Sequence, residues 1–152
     1  MLMTYGLFVF GLSTAAYDEL QRQTKWRHAS QSRIGRRPSR QFLGVGEETI
    51  TLTGKLMPQF TGGPSNIDDL REMGDDGYAW PLIEGTGYNY GVFVIESLDD
   101  TRRTFFKDGA AQEIDFTLQL GRVDDDRTVR MGELTQRDVE RLITRTSRSV
   151  LR

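Results

Sequence analysis

Residues 24–40, TKWRHASQSRIGRRPSR, carry Lys25, Arg27, Arg33, Arg36, Arg37 and Arg40 and not one acidic residue. How this stretch is read decides how the chain divides. A strand-like opening, Lys25-Trp26-Arg27-His28, runs into a segment punctuated by Ser, Gly and Pro. Gly35 permits a tight turn, and Pro38 is expected to end any regular structure. The stretch therefore reads as a long basic loop, an arm on a β-rich body. A loop of this length with five arginines is costly to order alone. Another protein subunit, a nucleic acid and plain solvent compete as its surroundings.

Downstream of the arm the chain alternates. Thr49-Ile50-Thr51-Leu52-Thr53 places Ile50 and Leu52, and then Leu56, on one face of a strand within residues 41–57. Val45-Gly46 reads as a turn before it, and Pro58 closes it. Thr61-Gly62-Gly63-Pro64 is a breaker. Ser65, with Asp68 three residues on, reads as the N-cap of a short helix. Ile67, Leu70 and Met73 give that helix one apolar stripe, and Gly74 or Gly77 ends it.

Residues 80–84, 88–97, 104–107 and 112–123 read as successive strands. Gly85-Thr86-Gly87, a turn over 98–102 and Asp108-Gly109 connect them; Asp-Gly between strand-like runs signals a hairpin. Ile114, Phe116, Leu118 and Leu120 alternate with Asp115, Thr117 and Gln119, the pattern of a half-buried antiparallel strand. Beyond Val123 the composition turns polar. Thr135 then caps a C-terminal helix, with Asp138 three residues on and Val139, Leu142, Ile143 and Val150 as its apolar stripe. Two parts result: residues 1–124 as a β domain bearing the arm, and 125–152 as linker and helix.

Upstream of the arm, residues 5–12 read as a first strand, with Gly6 and Gly11 marking a bend or bulge. Residues 15–22 fit either a helical turn or an extended segment, with extended preferred. The apolar run at residues 2–12 covers about half a membrane span and lacks the flanks of a secretion signal. A non-secreted soluble protein with no membrane partner is expected.

The 152 residues make one domain with an appended tail. Charged residues are 28% and hydrophobic ones 37%, an ordinary folded composition rather than a disordered one. The net charge of −2 gives no global pull toward nucleic acid. Its distribution is uneven, positive at 30–41 and mostly negative at 68–76 and 124–126. Such opposite patches favour contacts between copies or partners. Of 20 basic residues three are Lys and seventeen Arg, the residue that forks onto carboxylates. The absence of cysteine excludes disulfides, thiol catalysis and Cys-based zinc sites.

No catalytic constellation emerges, and an enzyme is not expected. His28, the single histidine, sits in a basic run with no acid nearby in sequence, which favours a structural or contact role. Gly85-Thr86-Gly87 followed by Gly91 misses the dinucleotide fingerprint and reads as a hairpin. Asp75-Asp76 and Asp124-Asp125-Asp126 lack calcium-loop spacing and read as solvated turns or partners for the arm. Glu84 and Glu96 have no pocket visible from sequence. No metal or cofactor is expected. Trp26 and Phe42 could stack bases beside arm arginines on phosphates, but no nucleic-acid motif accompanies them.

Several separated motifs resemble, in order, the GpU family of contractile-phage tail proteins. They are Glu19-Leu20-Gln21-Arg22, Trp26-Arg27-His28, Ser32-Arg33, Gly35 with Pro38, and Gln41-Phe42. Glu48 to Gly54 follows, with Pro58 and Thr61-Gly62-Gly63, then Pro81 to Gly87 and Gly91 to Ser97. Phe106 to Gly109, Ile114 to Leu118 and Arg122-Val123-Asp124 complete the series. The resemblance covers residues 1–124, departs at Gln112, where a basic residue is expected, and fades over the C-terminal helix.

It implies a non-enzymatic virion protein with a mainly β, α+β fold. The fold would be like tail-tube proteins: two antiparallel sheets closed into a barrel or sandwich, with a flanking helix. It also implies a homo-oligomer, a hexameric ring at the junction of tail tube and baseplate hub, assembled in the bacterial host cytoplasm. Tail tube and hub proteins would be its partners, and DNA would matter only as cargo passing through the channel. A tail terminator at the head-proximal end is the alternative, and nucleic-acid binding through the arm a third reading. The expected subunit interface joins Trp26, Arg27, Arg33, Arg36, Arg37 and Arg40 to acids such as Asp68, Asp69 or Asp75 of a neighbour.

Overall fold

The computed structural model describes residues 1–11, 14–60 and 63–123. The predicted C-terminal helix lies outside them. Among the described residues there are seven antiparallel strands and one helix. The strands are β1 (Met3–Tyr5), β2 (Phe8–Phe10), β3 (Tyr17–Arg33), β4 (Arg36–Leu56), β5 (Trp80–Glu84), β6 (Asn89–Phe105) and β7 (Ala111–Arg122). The helix, α1 (Pro64–Asp76), lies between β4 and β5. Their order in the sheet is β2-β1-β5-β6-β7-β4-β3. All seven strands belong to one hydrogen-bonded sheet, where the resemblance implied two.

That sheet has to curl. Laid flat, seven strands would hold β2 and β3 roughly 29 Å apart. The link over residues 11–16 reaches at most about 25 Å. The rings of Phe10 on β2 and Tyr17 on β3 are in edge contact, 6.0 Å between centroids. The inward face is the core: Met3, Tyr5, Phe8, Phe10, Ile50, Leu52, Leu56, Leu82, Phe93, Ile114, Phe116, Leu118 and Leu120 are buried together. On β4 and β7 these are the alternate residues that the sequence pattern placed inward.

Helix α1 covers this face over β6. Ile67 and Leu70 are buried, and Met73 packs at the margin. Gly74 brings the helix against Ile95, whose Cγ2 lies 3.4 Å from where a Cβ would stand. Arg71 donates from Nη2 to Asp100 Oδ1 at 2.6 Å, pinning helix to strand. The N-cap is Gly63 with Pro64 opening the helix, and no side chain caps it, which corrects Ser65. Proline suits this position because its missing N–H is unpaired there anyway. Gly77 closes the helix in the left-handed region, φ 70°, as the sequence allowed.

Several boundaries shift. The first strand is two, β1 and β2, hinged at Gly6 (φ 55°), whose missing Cβ leaves room for the Trp80 ring. Within the 15–22 segment, residues 17–22 are extended and open β3, as preferred. The turn expected at 98–102 is absent: β6 runs through it, with a bulge between Ile95 and Ser97. Val45-Gly46 likewise lies inside β4, at a bulge opposite Lys25.

The largest correction concerns the arm. It is a β-hairpin, formed by the distal halves of β3 and β4 around the Ile34-Gly35 turn. Pro38 does not end the regularity. It lies in β4 where the register shifts between Gln31↔Ser39 and Arg33↔Arg36. A ribbon of two strands is all edge there, and a proline at a bulge removes no needed donor.

Candidate functional site

Register shows how far the arm projects. β7 pairs with β4 from Leu56 only as far as Thr49. From Glu48 back to Arg36, β3 is the only strand paired with β4 among the described residues. The matching stretch of β3, Thr24 to Arg33, is shorter because the bulges all fall on β4, and at about 3.3 Å per residue it carries the hairpin roughly 30 Å beyond the end of the β4–β7 pairing. At the opposite end, β6 and β7 turn at Asp108-Gly109, beyond Leu56↔Ile114. The sheet therefore has two poles, one at each end of its strands.

Both faces of the arm are open. Trp26 stands opposite Val45, and His28 opposite Phe42 with ring centroids 5.4 Å apart. Alternation puts these four on one face. Trp26 and Phe42 are each 59% exposed and Val45 65%; Leu43 and Ile34 are exposed as well. Arg27 and Arg33 fall on the other face by the same parity, with Arg27 over Gly44. Arg33 and Arg36 pair across the turn as like charges. None of Lys25, Arg27, Arg33, Arg36, Arg37 or Arg40 makes an ion pair among the described residues.

The arm is anchored by a charged cluster that the sequence reading missed. Glu48 continues the inward parity of Ile50, Leu52 and Leu56 and is buried. Its Oε1 accepts from Arg22 Nε on β3, and its Oε2 from Arg122 Nη1 on β7 at 2.8 Å. Arg22 also lies over the Tyr90 ring, 5.7 Å from its centroid. Burial alone would push the Glu48 carboxyl upward, but hydrogen bonds from Arg122 and Arg22 hold it below its ordinary value. The bond that Arg22 donates to Glu48 raises the Arg22 guanidinium pKa in turn. One signal was available in sequence: a glutamate at an inward position of an alternating strand requires a partner.

The predicted acidic partners sit on α1, away from the arm of their own chain. Asp68 and Asp75 are exposed and seven residues apart, on one helix face about 10 Å along the axis. Asp69 is half-buried. The structure does not bring these acids to the arginines within one chain. Ion pairs elsewhere join Lys55 to Glu113 (2.6 Å) and Arg103 to Asp115 (3.3 Å) on the outer face of the sheet. Glu84 accepts from Thr86, and the Gly85–Gly91 segment is the expected hairpin between β5 and β6. No cluster of potential metal ligands occurs among the described residues, and none of their helices is long and apolar enough to cross a membrane.

A curled antiparallel sheet whose most exposed feature is a basic, aromatic hairpin defines a protein built around contact surfaces. The family model for Phage P2 GpU matches residues 6–125, and the chain belongs to that family. A probable tape measure protein of Halomonas phage phiHAP-1 is 30% identical over 120 residues, 78% of this chain. The match spans 14% of that relative's length. Family and relative together support a structural role in a phage tail.

Proposed function

We propose that the protein is a ring subunit of a contractile phage tail, six copies closing around a channel where the tail tube meets the baseplate hub. The projecting hairpin supports this most directly. A two-stranded ribbon is at best marginally stable in water. This one carries six cations without an internal partner among the described residues, and large exposed side chains besides. A neighbouring copy supplies what it lacks. In a cyclic assembly each contact joins two different patches, so the arm of one subunit meets another surface of the next. Arg33, Arg36, Arg37 and Arg40 against Asp68, Asp69 or Asp75 of the neighbour provide the charge complementarity. The curled sheet, with Phe10 and Tyr17 touching across its edges, is compatible with the barrel-like subunit implied by the resemblance.

The relative adds a partner. There the matched segment shares a chain with the remainder of a probable tape measure protein, which supports contact between this subunit and a protein of that kind. Tail-tube and hub proteins dock on the ring faces, and DNA is cargo rather than ligand. Electron microscopy of particles assembled without this protein tests the placement. Hub complexes lacking tubes are expected. Tubes of uncontrolled length would instead assign the terminator role at the head-proximal end, and normal tails would sink the structural reading.

A further inference from the structure

The first described residues and the exit of β7 lie together at the arm pole. The Leu2 carbonyl accepts from the Gly85 N–H at 2.9 Å, in the turn between β5 and β6. That turn leads into Tyr88 and Tyr90, whose rings meet edge to face at 4.8 Å. Arg22 lies over Tyr90 and shares Glu48 with Arg122. One residue on, Val123 donates from its N–H to the Val92 carbonyl at 3.0 Å. A continuous path of contacts thus runs from the start of β1 to the end of β7, along the root of the arm. The Asp108-Gly109 pole is the length of β7 away, roughly 36 Å.

In the phiHAP-1 relative the matched segment is 14% of a far longer chain. The match takes in 78% of the present chain, so it starts no later than the arm and runs at least into β7. Whichever end carries the remainder, the junction cannot fall at the Asp108-Gly109 pole, which is internal to the match. A polypeptide continued from the arm side is held there at high effective concentration, so the surface around the junction is the one it meets first. That surface offers exposed apolar groups: Met1, Leu2 and Tyr88 stand open beside the exposed Thr86. Clustered exposed apolar side chains mark contact sites. We infer that the arm pole, through Leu2, Thr86 and Tyr88, docks a tape-measure-type protein, and that the Asp108-Gly109 pole faces away from it. This rests on the partner reading of the proposed function and specifies the receiving surface. It leaves the arm tip to a neighbouring copy.

The test uses the full chain. A photo-crosslinking phenylalanine replaces Thr86 in one variant and Lys107 in another; both positions are exposed, one at each pole. Cross-links formed in assembled particles are mapped by mass spectrometry. Links to the tape measure protein of the same phage are expected from position 86 and not from 107. Links to it from 107, alone or beside 86, would overturn the inference and leave the partner reading intact. Independently, the purified chain is tested for capture of that tape measure protein. An L2D/Y88S variant with native circular dichroism is expected to bind at least about tenfold more weakly. An F105S/F106S variant, altered at two exposed positions of the other pole, should bind as wild type does. Equal loss in both variants, or loss in F105S/F106S alone, overturns the inference. A wild type that captures none, with no link from either position, removes the tape-measure partner from the proposed function as well, while the ring stands.

Discussion

Phe10 and Tyr17 belong to the two outermost strands of a seven-stranded sheet, yet their rings meet edge to face at 6.0 Å. The contact reports the curl of the whole sheet, because every intervening strand has to bend for it to form. Phe10 is fully buried, while Tyr17 is partly exposed and has its hydroxyl pKa raised, chiefly by burial. Phe10→Ala is expected to cost about 3–5 kcal/mol, the range for emptying an aromatic site in a core. Tyr17→Phe keeps the ring and its contact with Phe10 and should cost under about 1 kcal/mol. Urea unfolding at neutral pH measures both.

Gly54 and Gly121 make a matched pair of probes. A Cβ on Gly54 would run into the Ala16 carbonyl oxygen and the Phe116 ring at 2.8 Å, both fixed by the sheet. On Gly121 it would meet the side chain of Glu96, an exposed and flexible group. G54A is therefore expected to destabilise by about 2–3 kcal/mol and G121A by under about 1 kcal/mol. Equal melting shifts for the two would contradict the packing described for Gly54.

Acid should loosen the root of the arm. The Glu48 carboxyl is held below its ordinary value of 4.5 in the folded protein. Its stabilisation is thus fully present above that value and is lost as pH falls through the folded pKa. Glu48→Gln should lower stability at pH 7 by about 1–2 kcal/mol, allowing for the partial exposure of both arginines. The gap between wild type and variant should close as pH drops below 4.5. A gap of constant size from pH 7 to pH 3 would show that the charge of Glu48 is not what holds the cluster.

Charge at the arm tip should matter for assembly and hardly at all for folding. Arg36→Glu with Arg37→Glu touches no described ion pair and relieves the like-charge pairing of Arg33 with Arg36. Stability is expected within about 0.5 kcal/mol of wild type. Tail assembly, read by particle counts, should collapse and recover with a compensating Asp68→Arg. Assembly unaffected by the double reversal would remove the arm from the subunit contact.

DNA binding offers a fifth comparison. Cargo DNA predicts no measurable affinity of the free subunit at physiological salt. An affinity that falls steeply with salt, and disappears in the Arg36/Arg37 variant, would instead favour phosphate contacts by the arm.

The parts legible in sequence were those with one wet and one dry face. β5 was found to its last residue, β7 to within one, and the Asp108-Gly109 hairpin by its turn chemistry. Helix α1 was found by its stripe, although its cap was not Ser65 but Gly63. The arm escaped because alternation signals burial, and both faces of residues 25–45 meet solvent. Its strands show no apolar period, and Pro38 reads as a breaker until the bulge that accommodates it is seen. The Glu48 cluster joins residues 26 and 74 positions apart, and only folding brings them together. The arm residues named from sequence share one exposed hairpin, and their role as a subunit interface, like their docking partners, remains a proposal for a second copy.

The two-stranded arm also makes the state of the subunit readable by proteases. Lys25, Arg27, Arg33, Arg36 and Arg40 offer five trypsin sites on a ribbon with solvent on both sides, while Pro38 shields the bond after Arg37. A free subunit should be nicked within the arm long before its body is attacked, and one seated in a tail should be spared. On the ring reading, surplus copies would be exposed to turnover while incorporated ones persist, so the element proposed to join neighbours would also set the lifetime of those that never find one.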